Sequence, residues 1–69
     1  MTLFNLIAVT DTDQAIRIYD ATGTNEESEI KCIHSGLVES IDFSIDLENY
    51  EVDRITLDNE FLSITVVRR

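Results

Sequence analysis

Two runs near the end of the chain, residues 51–58 and 61–67, commit it to a sheet. Ile55 and Leu57 alternate with polar neighbours, and Leu62, Ile64 and Val66 repeat the pattern; Asp58, Asn59 and Glu60 between the runs are turn formers. A period of two sends one set of side chains to a buried face and the other set towards solvent. Little else interrupts strand formation, because Pro is absent and Gly occurs only at positions 23 and 36.

The same reading extends upstream. Residues 3–10 are apolar on both faces apart from Asn5, which predicts a central or doubly covered first strand. Asp11, Thr12, Asp13 and Gln14 supply a turn, and residues 15–21 form a second strand with Ile16 and Ile18 on one face and Arg17 and Tyr19 on the other. The two would make an antiparallel hairpin. Residues 22–28 (TGTNEES) form a loop, residues 30–34 a third strand, and Gly36 a bulge or bend. Residues 40–48 (SIDFSIDLE) alternate strictly, with Ile41, Phe43, Ile45 and Leu47 opposed to Asp42, Ser44, Asp46 and Glu48, which is a strand signature. A competing reading makes Asp46 the N-cap of one short helical turn reaching Tyr50. The expected fold is mainly β, or α+β with one short helix. It is a single domain over 1–69 containing one small antiparallel sheet of five or six strands, able to curl into a partial barrel. The run FLSITVV carries few charges and is expected at an edge, where an unprotected strand invites pairing with another chain.

A chain of 69 residues buries only about 60% of its unfolded surface, so its core is small. Cys32 is the single cysteine, which excludes an intrachain disulfide and suits a reducing compartment. The first residues lack a basic stretch and a small-residue cleavage site, and no apolar run approaches the roughly 20 residues of a membrane helix; the expectation is a cytoplasmic protein.

Charge bounds the partners. The formal net charge is −9, and eight acids against one base fall between Glu39 and Glu60. Such a field repels nucleic acid and anionic membranes and attracts basic protein surfaces. The candidate binding residues are Asp42, Asp46, Glu48, Glu51 and Asp53, with Glu26, Glu27 and Glu29 as a looser second group. Same-face residues on a strand repeat every roughly 6.6–6.8 Å, and DNA phosphates advance by roughly 3.4 Å along the axis per strand. Carboxylates on one strand face would therefore imitate a short phosphate row. The plainer reading is a solvated face that confers solubility.

Other chemistry finds little support in these residues. Cys32 and His34 would share a face of a strand, but a metal site needs three or four ligands and a Cys nucleophile needs an oriented base. The expectation is an inward Cys beside a partly exposed His. Asp11 and Asp13 lack the rest of a calcium loop, so turn formation is their expected role. No cofactor, metal site or catalytic residue is assigned. Tyr19, Tyr50 and Phe61 are suited to packing or to a dimer seam.

The second half carries a wider pattern: a strand ending at Gly36, a short apolar stretch at Leu37, Val38 and Ile41, a helical turn around residues 47–50, and a closing hairpin with Val52, Ile55, Asn59, Leu62, Ile64 and Val66. In this it resembles small uncharacterised proteins of Gram-positive phages and integrative elements. The unbroken alternation over 41–48 departs from that pattern, which leads one to expect a clearer helix. The resemblance implies a mobile-element origin, where small acidic proteins often inhibit host defence, anti-CRISPR proteins among them, and it implies no catalytic residue. The functional expectation is a non-enzymatic inhibitor or DNA mimic that binds a basic surface of a nucleic-acid-handling protein. The alternative is a structural homo-oligomer or accessory subunit, a homodimer at its simplest, whose acids only solubilise it.

Overall fold

The computed structural model of the protein describes residues 1–23, 30–42 and 44–69. A short helix, α1 (Leu3–Ala8), precedes four strands: β1 (Ala15–Asp20), β2 (Lys31–Leu37), β3 (Tyr50–Asp58) and β4 (Phe61–Arg68). They form one sheet in the order β2-β1-β4-β3. The mainly β class holds, with four strands among the described residues and one short helix. The sheet is mixed, however. β2 and β3 run antiparallel to their neighbours, while the central strands β1 and β4 run parallel.

Residues 3–10 are the first departure from the sequence reading. Leu3 and Leu6 are buried and Ile7 packs against the same core, a spacing of three and four that one side of a helix satisfies. The Thr2 hydroxyl accepts the Asn5 amide at 3.2 Å as an N-cap, and the helix closes with the Thr10 hydroxyl on the Leu6 carbonyl. Six residues do not sustain a helix alone, so burial of Leu3 and Leu6 holds this one. No hairpin joins residues 3–10 to β1.

Residues 40–48 are the second. Among the described positions there is no strand here. A 3₁₀ turn spans Val38–Ser40, and a second covers Leu47–Asn49 with Asp46 at its N-cap position, as the competing reading expected, although the Asp46 side chain makes no capping bond and Tyr50 already belongs to β3; Phe43 lies outside the described residues. The connection leaves β2 at one edge of the sheet and enters β3 at the other, and these two strands point the same way. It must therefore cross about 14 Å of sheet width and most of a strand's length. A helix of a dozen residues, about 18 Å long, falls short of that diagonal. An extended cover reaches it, with Ile41 buried and Ile45 and Leu47 packed on the core while Asp42, Ser44, Asp46 and Glu48 stay exposed.

α1 and this connection cover the same face of the sheet. Ile16, Ile18, Ile64 and Val66, from the two central strands, are fully buried beneath them together with Leu3. Both edge strands carry a bulge: Ile33 is the extra residue on β2, and Asp53 on β3. β4 lies inside the sheet rather than at an edge, which removes the expected strand addition through FLSITVV. At the edge of β3, Thr2 bridges to Glu51 and the Val52 amide donates to the Met1 carbonyl at 2.9 Å. The β3–β4 hairpin turns where expected, with Asn59 in the left-handed region at φ 57°.

Gly36 continues β2 opposite Ile16 with φ 144°, a conformation that L side chains rarely adopt, and an added Cβ would lie 3.2 Å from the Ser40 hydroxyl oxygen. Gly36→Ala is expected to lower unfolding stability by about 1–3 kcal/mol, read as a lower urea midpoint at unchanged slope. An unchanged midpoint would show that the strand relaxes around the added methyl.

Candidate functional site

The sequence-predicted acids do not form a row along one strand. Asp42, Asp46 and Glu48 stand on the connection between β2 and β3, all exposed. Glu51 and Asp53 lie on β3, Asp53 as the bulge residue. Glu26, Glu27 and Glu29 lie outside the described residues. The expected phosphate-like ladder is thus replaced by three carboxylates on an irregular loop and two on the neighbouring edge strand.

Each carboxylate has its own environment. Asp42 accepts the Ser44 amide at 2.9 Å, a local Asx turn, and that bond with the Ser44 side chain holds its carboxyl below the ordinary Asp value. Asp46 accepts the side-chain amide of Asn49, across a 3₁₀ turn that the Asn49 backbone amide closes on the Asp46 carbonyl at 3.1 Å. Glu51 binds the Met1 amino group at 2.7 Å and lies 3.7 Å from the Arg69 guanidinium; the amino-group bond outweighs modest desolvation and lowers its pKa. These are the only two ion pairs among the described residues, so Asp42, Asp46 and Glu48 keep their charge unneutralised by any described Lys or Arg. Glu51 is the member of the set already committed to a cation.

Beside these acids lies a shallow depression of about 470 Å³, lined by Phe4, Ser44, Ile45, Asp46, Leu47 and Glu48. Phe4 comes from α1 and is 47% exposed, on the side of the helix turned away from Leu3 and Leu6. Reading residues 3–10 as a strand hid it. The signal that finds it is the i, i+3, i+4 spacing of Leu3, Leu6 and Ile7 behind Thr2.

A second cluster, at the far ends of the parallel strands, also went unread. The Thr22 hydroxyl and amide both donate to one oxygen of Asp20, and Tyr50 Oη donates to the other at 3.1 Å. The Arg68 amide donates to Thr22 Oγ1 at 2.8 Å, and the Arg68 guanidinium lies 5.7 Å from the centre of the Tyr50 ring. Tyr50 is therefore a core residue with its hydroxyl satisfied. Burial pushes the Asp20 carboxyl up, but the Thr22 and Tyr50 bonds and the Arg68 charge outweigh it and hold it below the usual value. Burial and the Asp20 carboxylate raise Tyr50.

Cys32 and His34 do not share a face. The Ile33 bulge sets Cys32 opposite Tyr19 and His34 opposite Ile18, and those partners stand on opposite faces of β1. Cys32 is exposed rather than inward, while His34 is partly exposed as expected. The Cys32 thiol donates to the His34 carbonyl at 3.3 Å. Among the described residues, no three His, Cys, Asp or Glu converge closely enough to hold a metal ion. Asp11 closes its turn through its carbonyl, which accepts the Gln14 amide at 3.1 Å. Tyr19 and Phe61 lie half-buried on the face away from the core, as their register predicts, with the Arg17 guanidinium 4.1 Å above the Phe61 ring. No described helix is long and apolar enough to cross a membrane. No protein-family model, curated protein or solved structure matches the chain.

The Asp20 cluster dictates an acid limb of stability. A carboxyl depressed in the folded state stabilises above its unfolded pKa of about 3.9, and that contribution is lost as pH falls through the lower folded value. Wild type is expected to lose stability below about pH 4, and Asp20→Asn to be less stable at neutral pH with a shallower acid limb. Thermal melts between acid and neutral pH check this, and parallel limbs for both proteins would remove Asp20 as a source.

Proposed function

We propose that this chain is a small acidic interaction protein whose connection between β2 and β3 binds a basic protein surface. One observation carries the reading. Asp42, Asp46 and Glu48 project from a single short segment, exposed and unpaired with any described cation, in a chain of net charge −9. A sheet protein that needed acids only for solubility would gain as much from charges dispersed among bases. Concentrated negative charge accelerates encounter with a Lys/Arg-rich partner and suppresses encounter with nucleic acid itself. The favoured target is a nucleic-acid-handling protein whose groove accepts anions, and the effect is inhibition by occupancy. A phage or integrative element is the setting proposed for such an inhibitor. Irregular carboxylate spacing suits a charged patch better than a regular imitation of the DNA backbone.

The test is affinity capture from bacterial lysate at low and high salt, with added duplex DNA as competitor. The expected partner is lost at high salt, is displaced by DNA, and is not captured by the triple variant Asp42→Lys, Asp46→Lys, Glu48→Lys, which should keep the wild-type circular dichroism. Undiminished capture by that folded triple variant would sink the reading.

A second reading, self-association, is favoured by the face of the sheet opposite the core, over which no described helix or loop packs. By register that face presents Tyr19, Phe61, Ser63 and Thr65, with Arg17 and Arg54 offset by Glu51 and Asp58, so two copies meet there with less repulsion than the whole-chain charge implies. A dimer of this kind would double the mass measured by light scattering as concentration rises, persist in salt, and dissociate in Tyr19→Asp. A single monomer mass at millimolar concentration excludes it.

A further inference from the structure

We infer that the depression between α1 and the β2–β3 connection is a receptor for an arginine side chain on the basic partner. The inference rests on the charge-steered reading above and assigns that reading a contact.

Three features converge on the site. Phe4 is a large apolar residue left 47% exposed at the wall of the depression although its helix neighbours Leu3 and Leu6 are buried. Ile45 and Leu47 continue the apolar lining, and both are already packed against the core, so they hold their positions without a partner. Asp46 and Glu48 stand at the same depression, Asp46 fixed by its bond from Asn49 and Glu48 exposed.

An aromatic ring with carboxylates beside it fits one side chain best. Arginine stacks its guanidinium flat on a ring, lays its methylene stem on apolar surface and offers a fork of donors to carboxylates; lysine offers a point charge with a tighter hydration shell. The protein already uses the aromatic half of this contact twice within itself, Arg17 over Phe61 and Arg68 over Tyr50. Among the described residues no Arg or Lys lies over Phe4, although it stands beside unpaired acids. An aromatic with carboxylates and no internal cation is complementary to a cation brought from outside. A nucleic acid would meet repulsion here, and an acidic peptide likewise.

The experiment titrates the isotope-labelled full chain with three short peptides of the same length, one arginine-rich, one with lysine at each arginine position, and one with neutral citrulline there, observed by amide and side-chain NMR at low salt. The arginine peptide is expected to bind, with shifts centred on Phe4, Ile45 and Leu47, and the lysine peptide to bind several-fold more weakly. The citrulline peptide should not bind. Phe4→Ala and Phe4→Leu should each weaken the arginine peptide about tenfold, the second variant keeping apolar volume on the helix while removing the ring. If the arginine peptide binds but both Phe4 variants bind it as wild type does, or lysine binds equally well, the receptor is overturned while the acidic surface stands as a general one. If no cationic peptide binds at low salt, the receptor and the charge-steered reading fail together.

Discussion

The pairing of β1 with β4 is the contact on which the rest of the molecule depends. These strands run side by side in parallel, Ile18 against Ile64 and Ile16 against Leu62. Parallel neighbours cannot be joined by a tight turn, so everything between them has to leave and return. One hairpin, β1 to β2, takes the chain outward at one edge, and another, β3 to β4, brings it back from the opposite edge. The segment joining the hairpins must cross the sheet, and in crossing it becomes the lid of the core. The four fully buried residues of the central strands lie where that lid and α1 meet the sheet. At the far end of the same pair, the Asp20–Thr22–Tyr50–Arg68 cluster ties β1 to β4 and to the start of β3. A pairing so distant in sequence makes loop-closure entropy a main cost of folding.

This constraint explains which elements were legible. The β3–β4 hairpin is local, its register follows from a two-residue turn, and its alternation sets Ile55 and Leu57 on the core side of the sheet, although at the edge both stay exposed rather than buried. β1 and its two faces were likewise read correctly, because Ile16 and Ile18 against Arg17 and Tyr19 is a half-buried strand whatever its partner. What was illegible is what only the tertiary pairing decides. FLSITVV, poor in charge, reads as an edge, yet its few charges reflect a central position between two partners. Residues 3–10 carry the helical spacing of Leu3, Leu6 and Ile7 together with enough apolar residues for a strand, and the place left over the sheet decides for the helix. Cys32 and His34 share a face by counting and lose it to one bulge residue that leaves no mark in the sequence.

Residues 41–48 show the limit most clearly. Their in-and-out division holds at the described positions: Ile41, Ile45 and Leu47 face the core, and Asp42, Ser44, Asp46 and Glu48 face solvent, while Phe43 lies outside the described residues. Strand structure does not follow from that division. Any extended segment laid across a sheet has an inner and an outer side, and an irregular cover with 3₁₀ ends alternates as a strand does without ladder bonds.

The same geometry sets the character of the candidate surface. A strand face would hold its carboxylates at a fixed spacing and pair its backbone with a neighbour. A lid leaves them on a path fixed by what lies beneath: Ile41, Ile45 and Leu47 seek the core, and the acids take the outward positions between them. Asp42 and Asp46 then spend a hydrogen bond each on organising the loop, to Ser44 and with Asn49, while their charges stay directed at solvent. Where the lid meets α1, Phe4 stays exposed at the same depression as Asp46 and Glu48. Exposed ring and unpaired charge thus share one setting, the line along which the crossing segment meets the helix.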